Sequence, residues 1–159
     1  MKLSEKINNK TIIYPLLGIS KQDILHELLN YFQSLKYLTA TTKLFSSLDY
    51  KNKIFNSASG RGIAYHYHTS IEVKETLAVL GISKQGIDYN ATDGLLCHFI
   101  LLILEPQSHP NSHRKLINLF QSLISNPDIK TKILELDSSN EVEKIIKNWE
   151  TDDNVFDIL

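Results

Sequence analysis

The chain has 159 residues, 42% hydrophobic and 22% charged, a composition typical of a globular protein with a packed core. A formal net charge of −1 argues against a broad basic face for nucleic acid, and the single cysteine, Cys97, excludes an internal disulfide framework and a cysteine-built zinc site. The longest apolar run, 99–104, is too short to span a bilayer, and the N-terminus shows no signal peptide pattern. We therefore expect a cytoplasmic protein with no nucleic-acid partner, no direct membrane insertion and no cofactor.

The first third of the sequence predicts one strand and two helices. Residues 1–10 are polar and predict a loose lead-in, and residues 11–17 predict an extended segment whose proline confines it to a sheet edge. Ser20 is a candidate N-cap for the first helix. The apolar residues of that helix recur at helical spacing and are Ile24, Leu25, Leu28, Leu29 and Phe32. Thr41 or Thr42 is a candidate cap for the second helix.

Extended segments dominate the middle of the sequence. Residues 56–61 have the composition of a loop, and residues 63–64 predict a short buried strand. Two further extended pieces are predicted over 76–83 and 86–89. Residues 95–104 are almost wholly apolar, which predicts a central strand that is buried on both faces.

Helices are predicted for the end of the sequence. Ser112 is a candidate cap for a helix with an apolar stripe, Pro127 begins another, and a serine at 138–139 caps the last. The stripe of the first of these helices consists of Leu116, Leu119, Phe120, Leu123 and Ile124. Strands that interleave with helices predict an α/β or α+β fold with a mixed sheet. We expect one domain over residues 1–150, followed by an acidic tail over residues 151–159.

The stretch from Gly60 to Ser70 is the first candidate functional site. A Gly-x-Gly turn opens it, and His66 and His68 follow with one tyrosine between them. Histidine can serve as a nucleophile, an acid, a base or a metal ligand near neutral pH. The alternative interpretation is the end of a strand whose polar residues face water.

His113 is the second candidate, because it lies in the first turn of a predicted helix, where unpaired amides favour an anion. The alternative is a histidine that merely covers the core. A His66-x-His68 pair joined by His113 or His109 would supply three ligands for zinc. No carboxylate or cysteine is placed by the sequence to complete that site, so we predict no metal.

The segment Gly-Arg-Gly-Ile-Ala-Tyr-His-Tyr at 60–67 is followed by Gly-Ile-Asp-Tyr at 86–89, Asp-Gly at 93–94, an apolar strand that ends near proline at 99–106, and His113. This order resembles the enzyme IIA domain of the bacterial phosphotransferase system, in its fructose, mannitol and nitrogen-regulatory class. That family has Gly-Asn-Gly-(Ile/Val)-Ala-x-Pro-His, whose histidine carries a phosphoryl group, and a second histidine that opens a later helix. The resemblance covers nearly the whole chain and implies a single-domain mixed sheet flanked by helices.

The phosphohistidine motif is not intact. Counted without a gap, Tyr67 stands at the phosphoacceptor position, His66 replaces the proline, and His68 comes one residue late. In an extended segment both histidines would then point away from the cleft, whereas a one-residue bulge would aim His68 into it. Lys51 stands where the family has arginine, so positive charge is kept but the forked grip on phosphate is lost.

The resemblance implies two sets of site residues. The candidate catalytic residues are His68, His66 and His113. The candidate phosphate-binding residues are Lys51, Ser57, Gly60, Arg61 and Gly62. Two functions remain open on these residues: a phosphoryl carrier that the histidine phosphocarrier protein would load, and a degenerate domain that regulates a partner protein or a transporter component by contact.

Overall fold

The apolar segment predicted to be central forms β5 (Cys97–Glu105), the middle strand of a five-stranded mixed sheet. In the computed structural model, which describes residues 1–151, β5 pairs antiparallel with β4 (Leu77–Ile87) and parallel with β3 (Ile63–Thr69). The sheet edges are two short strands, β1 (Ile12–Ile13) and β2 (Ala58–Gly60). All of β5 except His98 is buried, as expected for a strand covered on both faces.

Helices cover both faces of the sheet. One face carries α2 (Lys21–Ser34) and α3 (Thr42–Ile54). The other carries α1 (Leu3–Lys6), α4 (His113–Ile124), α5 (Pro127–Glu135) and α6 (Ser139–Glu150). A mixed sheet flanked by helices is the predicted fold class, and it is confirmed.

The helices form where the sequence combines a cap with an apolar stripe. The Ser20 side chain accepts a hydrogen bond from the amide of Asp23 at 3.1 Å, which satisfies one of the unpaired donors at the start of α2. Leu28 and Phe32, four residues apart in α2, are completely buried. The predicted first cap and the stripe of this helix are both confirmed.

The N-terminal segment differs from its prediction. Residues 1–10 do not form a loose lead-in, because Leu3 and Ile7 are completely buried and α1 packs against α6. Two apolar side chains four residues apart were too weak a pattern to reveal this helix. The predicted acidic tail lies outside the described residues, apart from Thr151.

Two segments in the sheet also differ from their predictions. The piece predicted over 76–83 and the first half of the piece predicted over 86–89 are joined in the single strand β4, across a register shift between Ile82 and Ile87. Gly86 has a φ of +84° within that irregular part, a conformation that glycine adopts at little cost. The predicted loop over 56–61 contains β2, which pairs antiparallel with the start of β3.

Candidate functional site

A cavity of about 200 Å³ opens beside β3, between the end of α3 and the first turns of α4, and we refer to it as the β3 cleft. Its polar and aromatic lining consists of Lys51, Ser57, Tyr65, His66 and Tyr67. Three candidate site residues, Lys51, Ser57 and His66, therefore line one cavity.

Tyr67 lies between a cation and an imidazole. Its ring stacks on His113 with the centroids 3.9 Å apart and the planes 8° from parallel. The Lys51 ammonium lies 3.5 Å from the centroid of the Tyr67 ring, and it also donates a hydrogen bond to the Tyr67 carbonyl at 3.0 Å. Burial lowers the pKa of Lys51, and the charge of Glu105 partly offsets this effect. Tyr67 is thus the β3 side chain that faces His113.

Glu105 fixes the position of His113, and sequence analysis missed this residue. The Glu105 side chain is 2% exposed, and Oε1 lies 2.9 Å from His113 Nδ1. Its Oε2 accepts from the His113 amide at 2.8 Å and from the Ser112 hydroxyl at 3.0 Å, so the carboxylate rather than the Ser112 side chain caps α4. The sequence feature that could have identified Glu105 is a lone carboxylate at the end of an apolar strand.

Replacing Glu105 with alanine is expected to lower the free energy of unfolding by roughly 3 kcal/mol, because two buried donors of His113 and the part-buried Ser112 hydroxyl lose one acceptor. Urea unfolding followed by circular dichroism measures the change. The matched control is Glu135→Ala, at an exposed position of α5, for which we expect a change within about 0.5 kcal/mol. Equal effects of the two substitutions would contradict this role of Glu105.

His66 lies on the opposite face of the sheet from Tyr67, as successive residues of a strand do. It is 4% exposed, with Nδ1 3.3 Å from the Ser57 hydroxyl and Nε2 3.1 Å from the Tyr89 hydroxyl. Burial, together with the charges of Lys51 and Lys21, lowers the pKa of His66 from 6.5 to about 4. His66 is therefore a neutral core histidine whose two ring nitrogens both have partners.

This lowered pKa predicts that stability falls as the solution is acidified. Between pH 6.5 and about 4 the unfolded chain binds a proton at His66 that the folded chain does not, so the free energy of unfolding decreases by roughly 3 kcal/mol as the pH falls through this window. Urea unfolding across the window should show a shallower pH dependence for His66→Gln. If the free energy of unfolding of the unmodified protein and of His66→Gln fell equally over this pH window, the lowered pKa of His66 would be contradicted.

His68 also lies away from Tyr67. β3 pairs with β5 without a register shift from Ile63 to Thr69, so no bulge turns His68 towards His113. The ring is half-buried, and its Nδ1 lies 2.6 Å from the Thr69 carbonyl oxygen. Because a carbonyl only accepts, Nδ1 donates this hydrogen bond, and in a neutral imidazole Nε2 is then the nitrogen that carries the lone pair.

The loop at Gly60–Gly62 lies at the other end of β3 from Tyr67. All three of its residues have positive φ, and the Arg61 amide donates to Asp93 Oδ2 at 2.8 Å. The Arg61 carbonyl accepts from the Lys130 ammonium. Hydrogen bonds from the Arg61 and Leu95 amides lower the pKa of Asp93. The anion held by this loop is an internal carboxylate, and the start of β3 at Ile63 is already about 13 Å along the strand from Tyr67.

The candidate residues do not assemble into a metal site. Within residues 1–151 there is no group of three or more histidine, cysteine, aspartate and glutamate side chains arranged to hold a metal ion. His66 and His68 lie on one face of β3, whereas His113 contacts Tyr67 on the other. In the same part of the chain, no helix combines the length and the apolar character needed to cross a bilayer.

The fold has close counterparts among solved structures. It matches nitrogen regulatory protein IIA-Ntr from Neisseria meningitidis with a TM-score of 0.75 and 19% identity, over 91% of this chain and 98% of that one. It matches IIA mannitol from Escherichia coli with a TM-score of 0.74 and 14% identity, over 89% and 99% of the two chains. IIA mannitol has also been solved in complex with phosphorylated IIB mannitol, and the chain matched there gives a TM-score of 0.73 and 14% identity over 90% and 98% of the two chains.

Sequence comparison gives the family. The fructose-specific EIIABC component of Bacillus subtilis (strain 168) is 26% identical over 152 residues, which are 92% of this chain and 23% of that protein. The fructose-specific EIIA component of Haloferax volcanii is 23% identical over 87 residues, 55% of this chain and 56% of that protein. The chain thus spans about a quarter of the first relative and about half of the second. Residues 5–149 match the family model of the phosphoenolpyruvate-dependent sugar phosphotransferase system, EIIA 2, and the chain belongs to this family.

Proposed function

We propose that this EIIA domain acts by contact with proteins of the phosphotransferase system and does not carry a phosphoryl group on a histidine in its cleft. The observation that carries the proposal is the stacking of Tyr67, rather than a histidine, on His113. His66, which also lines the cleft, and His68 both lie on the face of β3 opposite to Tyr67 and His113. On this proposal, a phenol stands at the position where a family histidine would receive the phosphoryl group.

The chemistry of the two side chains supports this proposal. A neutral imidazole nitrogen attacks phosphorus readily and holds the phosphoryl group as a high-energy phosphoramidate. A phenol forms a more stable ester, which would be a poor donor to the next protein in a relay. The Lys51 ammonium lies over the Tyr67 ring, so the cleft keeps a positive charge next to a side chain that would not pass phosphate on.

The surface beside the β3 cleft suits a protein partner. Phe55 is 70% exposed and Ile54 is 54% exposed at the end of α3, and Lys51 places a cation next to them. Apolar side chains beside a charged group are common at interfaces. We infer that histidine phosphocarrier protein or an EIIB component docks here, in the cytoplasm; a role specific to nitrogen regulation is a narrower form of the same proposal.

Isothermal titration of the chain with unphosphorylated histidine phosphocarrier protein, and separately with a fructose-type EIIB domain, tests the contact function. We expect saturable binding to at least one of them, weakened at least about tenfold by Phe55→Ala. The matched control is Leu17→Ala, at a residue that is 81% exposed and lies outside the cleft lining. If neither protein binds, or if the two substitutions have equal effects, the proposed docking surface is wrong.

A second candidate function is phosphoryl transfer at His68, favoured by the free lone pair on its Nε2. In that case His68 would accept the group from histidine phosphocarrier protein. Labelling with enzyme I, histidine phosphocarrier protein and phosphoenolpyruvate would then be abolished by His68→Ala and retained by His66→Ala. This candidate would be contradicted if His68→Ala and His66→Ala lost labelling equally, or if neither the unmodified protein nor the variants were labelled.

A further inference from the structure

The first turn of α4 carries three basic side chains and no acidic one, and these are His113, Arg114 and Lys115. Cations are unfavourable there, because the amides at a helix N-terminus already supply partial positive charge. The Glu105 carboxylate at this helix end is buried and already bonded to His113. Arg114 and Lys115 are exposed, and neither belongs to an ion pair formed within residues 1–151. The start of α4 therefore offers two cations to an anionic partner.

A third cation and an exposed aliphatic side chain lie beside the start of α4. The Thr76 hydroxyl is 2.5 Å from the Ser112 hydroxyl, so the residues just before Thr76 are close to this helix end. They include Lys74, which is exposed and outside the same ion pairs, and Ile71, which is 82% exposed. We refer to Ile71, Lys74, Arg114 and Lys115 as the basic corner. Its charge and its apolar side chain suit a segment that is both acidic and apolar.

The sequence of residues 152–159 has this character. It reads Asp-Asp-Asn-Val-Phe-Asp-Ile-Leu, with three carboxylates, four apolar side chains and no lysine or arginine. Opposite charges brought together from two parts of one chain attract each other, and apolar side chains on both add to the contact. The segment and the basic corner are therefore complementary in both respects.

The helix that leads to this segment ends close enough to the basic corner. Glu150, the last residue of α6, accepts hydrogen bonds from the amide and the hydroxyl of Ser4 in α1, both at 2.6 Å. α1 packs against α4 as well as against α6, and its Lys6 lies 3.5 Å from Glu75, next to the corner. Packed helices lie about 8–10 Å apart, so the two steps from α6 to α4 span roughly 20 Å. Eight extended residues reach about 26 Å, which covers this distance.

We propose that residues 152–159 bind the basic corner, with their aspartates next to its cations and their apolar side chains against Ile71 and Ile117. A tethered segment has a high effective concentration, so even a weak contact is well populated. Ile117 also lines the β3 cleft, so the bound segment competes with a protein that docks at the cleft. This competition rests on the proposed contact function, whereas the binding of the segment to the corner does not.

Paramagnetic broadening in the full chain tests the contact. A nitroxide is attached to Asn154→Cys, and Cys97 is 1% exposed, so it stays unlabelled. The nitroxide broadens the amide signals of residues close to it. We expect the amides of residues 113–117 to lose most of their intensity relative to the reduced label. The amide of Ile124 lies about 15 Å further along α4 and should lose much less.

Two double variants separate binding from simple proximity. Arg114→Gln with Lys115→Gln should remove most of the broadening, and it leaves the fold intact because both side chains are exposed and oppose the helix dipole. The matched control is Lys43→Gln with Lys132→Gln, at exposed cations of α3 and α5 outside the same ion pairs, and it should leave the broadening unchanged. The proposal is overturned if residues 113–117 are not broadened, or if both double variants show equal broadening.

Partner binding tests the competition separately. Replacing Asp152, Asp153 and Asp157 together by asparagine neutralises the segment, and we expect histidine phosphocarrier protein or the EIIB domain to bind this variant at least about threefold more tightly than the unmodified chain. Equal affinities would overturn the competition. If neither protein binds either chain, the contact function is wrong, and the broadening experiment alone decides whether the segment binds the basic corner.

Discussion

Replacing Leu101 with aspartate is expected to leave no folded protein. Leu101 lies in the middle of β5, is completely buried, and pairs with Leu80 on one side and Tyr65 on the other. A carboxylate at this position would have no cation or hydrogen-bond donor to compensate for the loss of water, at a cost of several kcal/mol. Since a domain of this size is stable by only about 5–15 kcal/mol, one such change removes most of its stability.

Soluble expression and circular dichroism measure this effect. The matched control is Leu95→Asp, because Leu95 is 51% exposed and precedes the same strand. We expect the control to unfold cooperatively at a temperature near that of the unmodified protein. A soluble Leu101→Asp variant with a cooperative transition would contradict the placement of β5 at the centre of the core.

Replacing Tyr67 with histidine is expected to convert a chain without a cleft phosphoacceptor into one that accepts a single acid-labile phosphoryl group. The imidazole would occupy the position that faces His113, with the Lys51 ammonium next to it to stabilise the transferred charge. The change is measured by intact mass after incubation with enzyme I, histidine phosphocarrier protein and phosphoenolpyruvate. We expect no added phosphoryl group on the unmodified protein and one per molecule on Tyr67→His.

Tyr67→Phe is the matched control, since it keeps the stacked ring and supplies no nucleophile. Phosphorylation of Tyr67→His that persists after replacement of His68 and His66 by alanine would locate the group on the new histidine. A folded Tyr67→His variant that gains no phosphoryl group would show that Tyr67 is not by itself what prevents transfer.

Long regular patterns made most of the fold predictable from the sequence. The stripe of α2 and the apolar run of β5 each repeat one physical signal over many residues. α1 could not be predicted in this way, because Leu3 and Ile7 become meaningful only when they pack against α6, which is far away in the sequence. The short strand β2 is likewise defined by its pairing with β3 rather than by its own residues.

The candidate site was predictable where it depends on strand alternation. Tyr67 and His66 lie on opposite faces of β3, as period-two geometry requires. The partners of His113 and of the Gly60–Gly62 turn could not be predicted from the sequence. Glu105 accepts a hydrogen bond from His113 across a loop, and Asp93 accepts one in the turn from a distant segment. A glycine-rich turn whose anion is supplied by the chain itself has the same local sequence as one that binds phosphate.

The most direct test of the central claim is the intact mass of the unmodified chain after incubation with enzyme I, histidine phosphocarrier protein and phosphoenolpyruvate. With Tyr67 facing His113, we predict no acid-labile phosphoryl group on the folded protein. A single acid-labile phosphoryl group that disappears in His68→Ala or His66→Ala would contradict this account, and would make the chain a phosphoryl carrier.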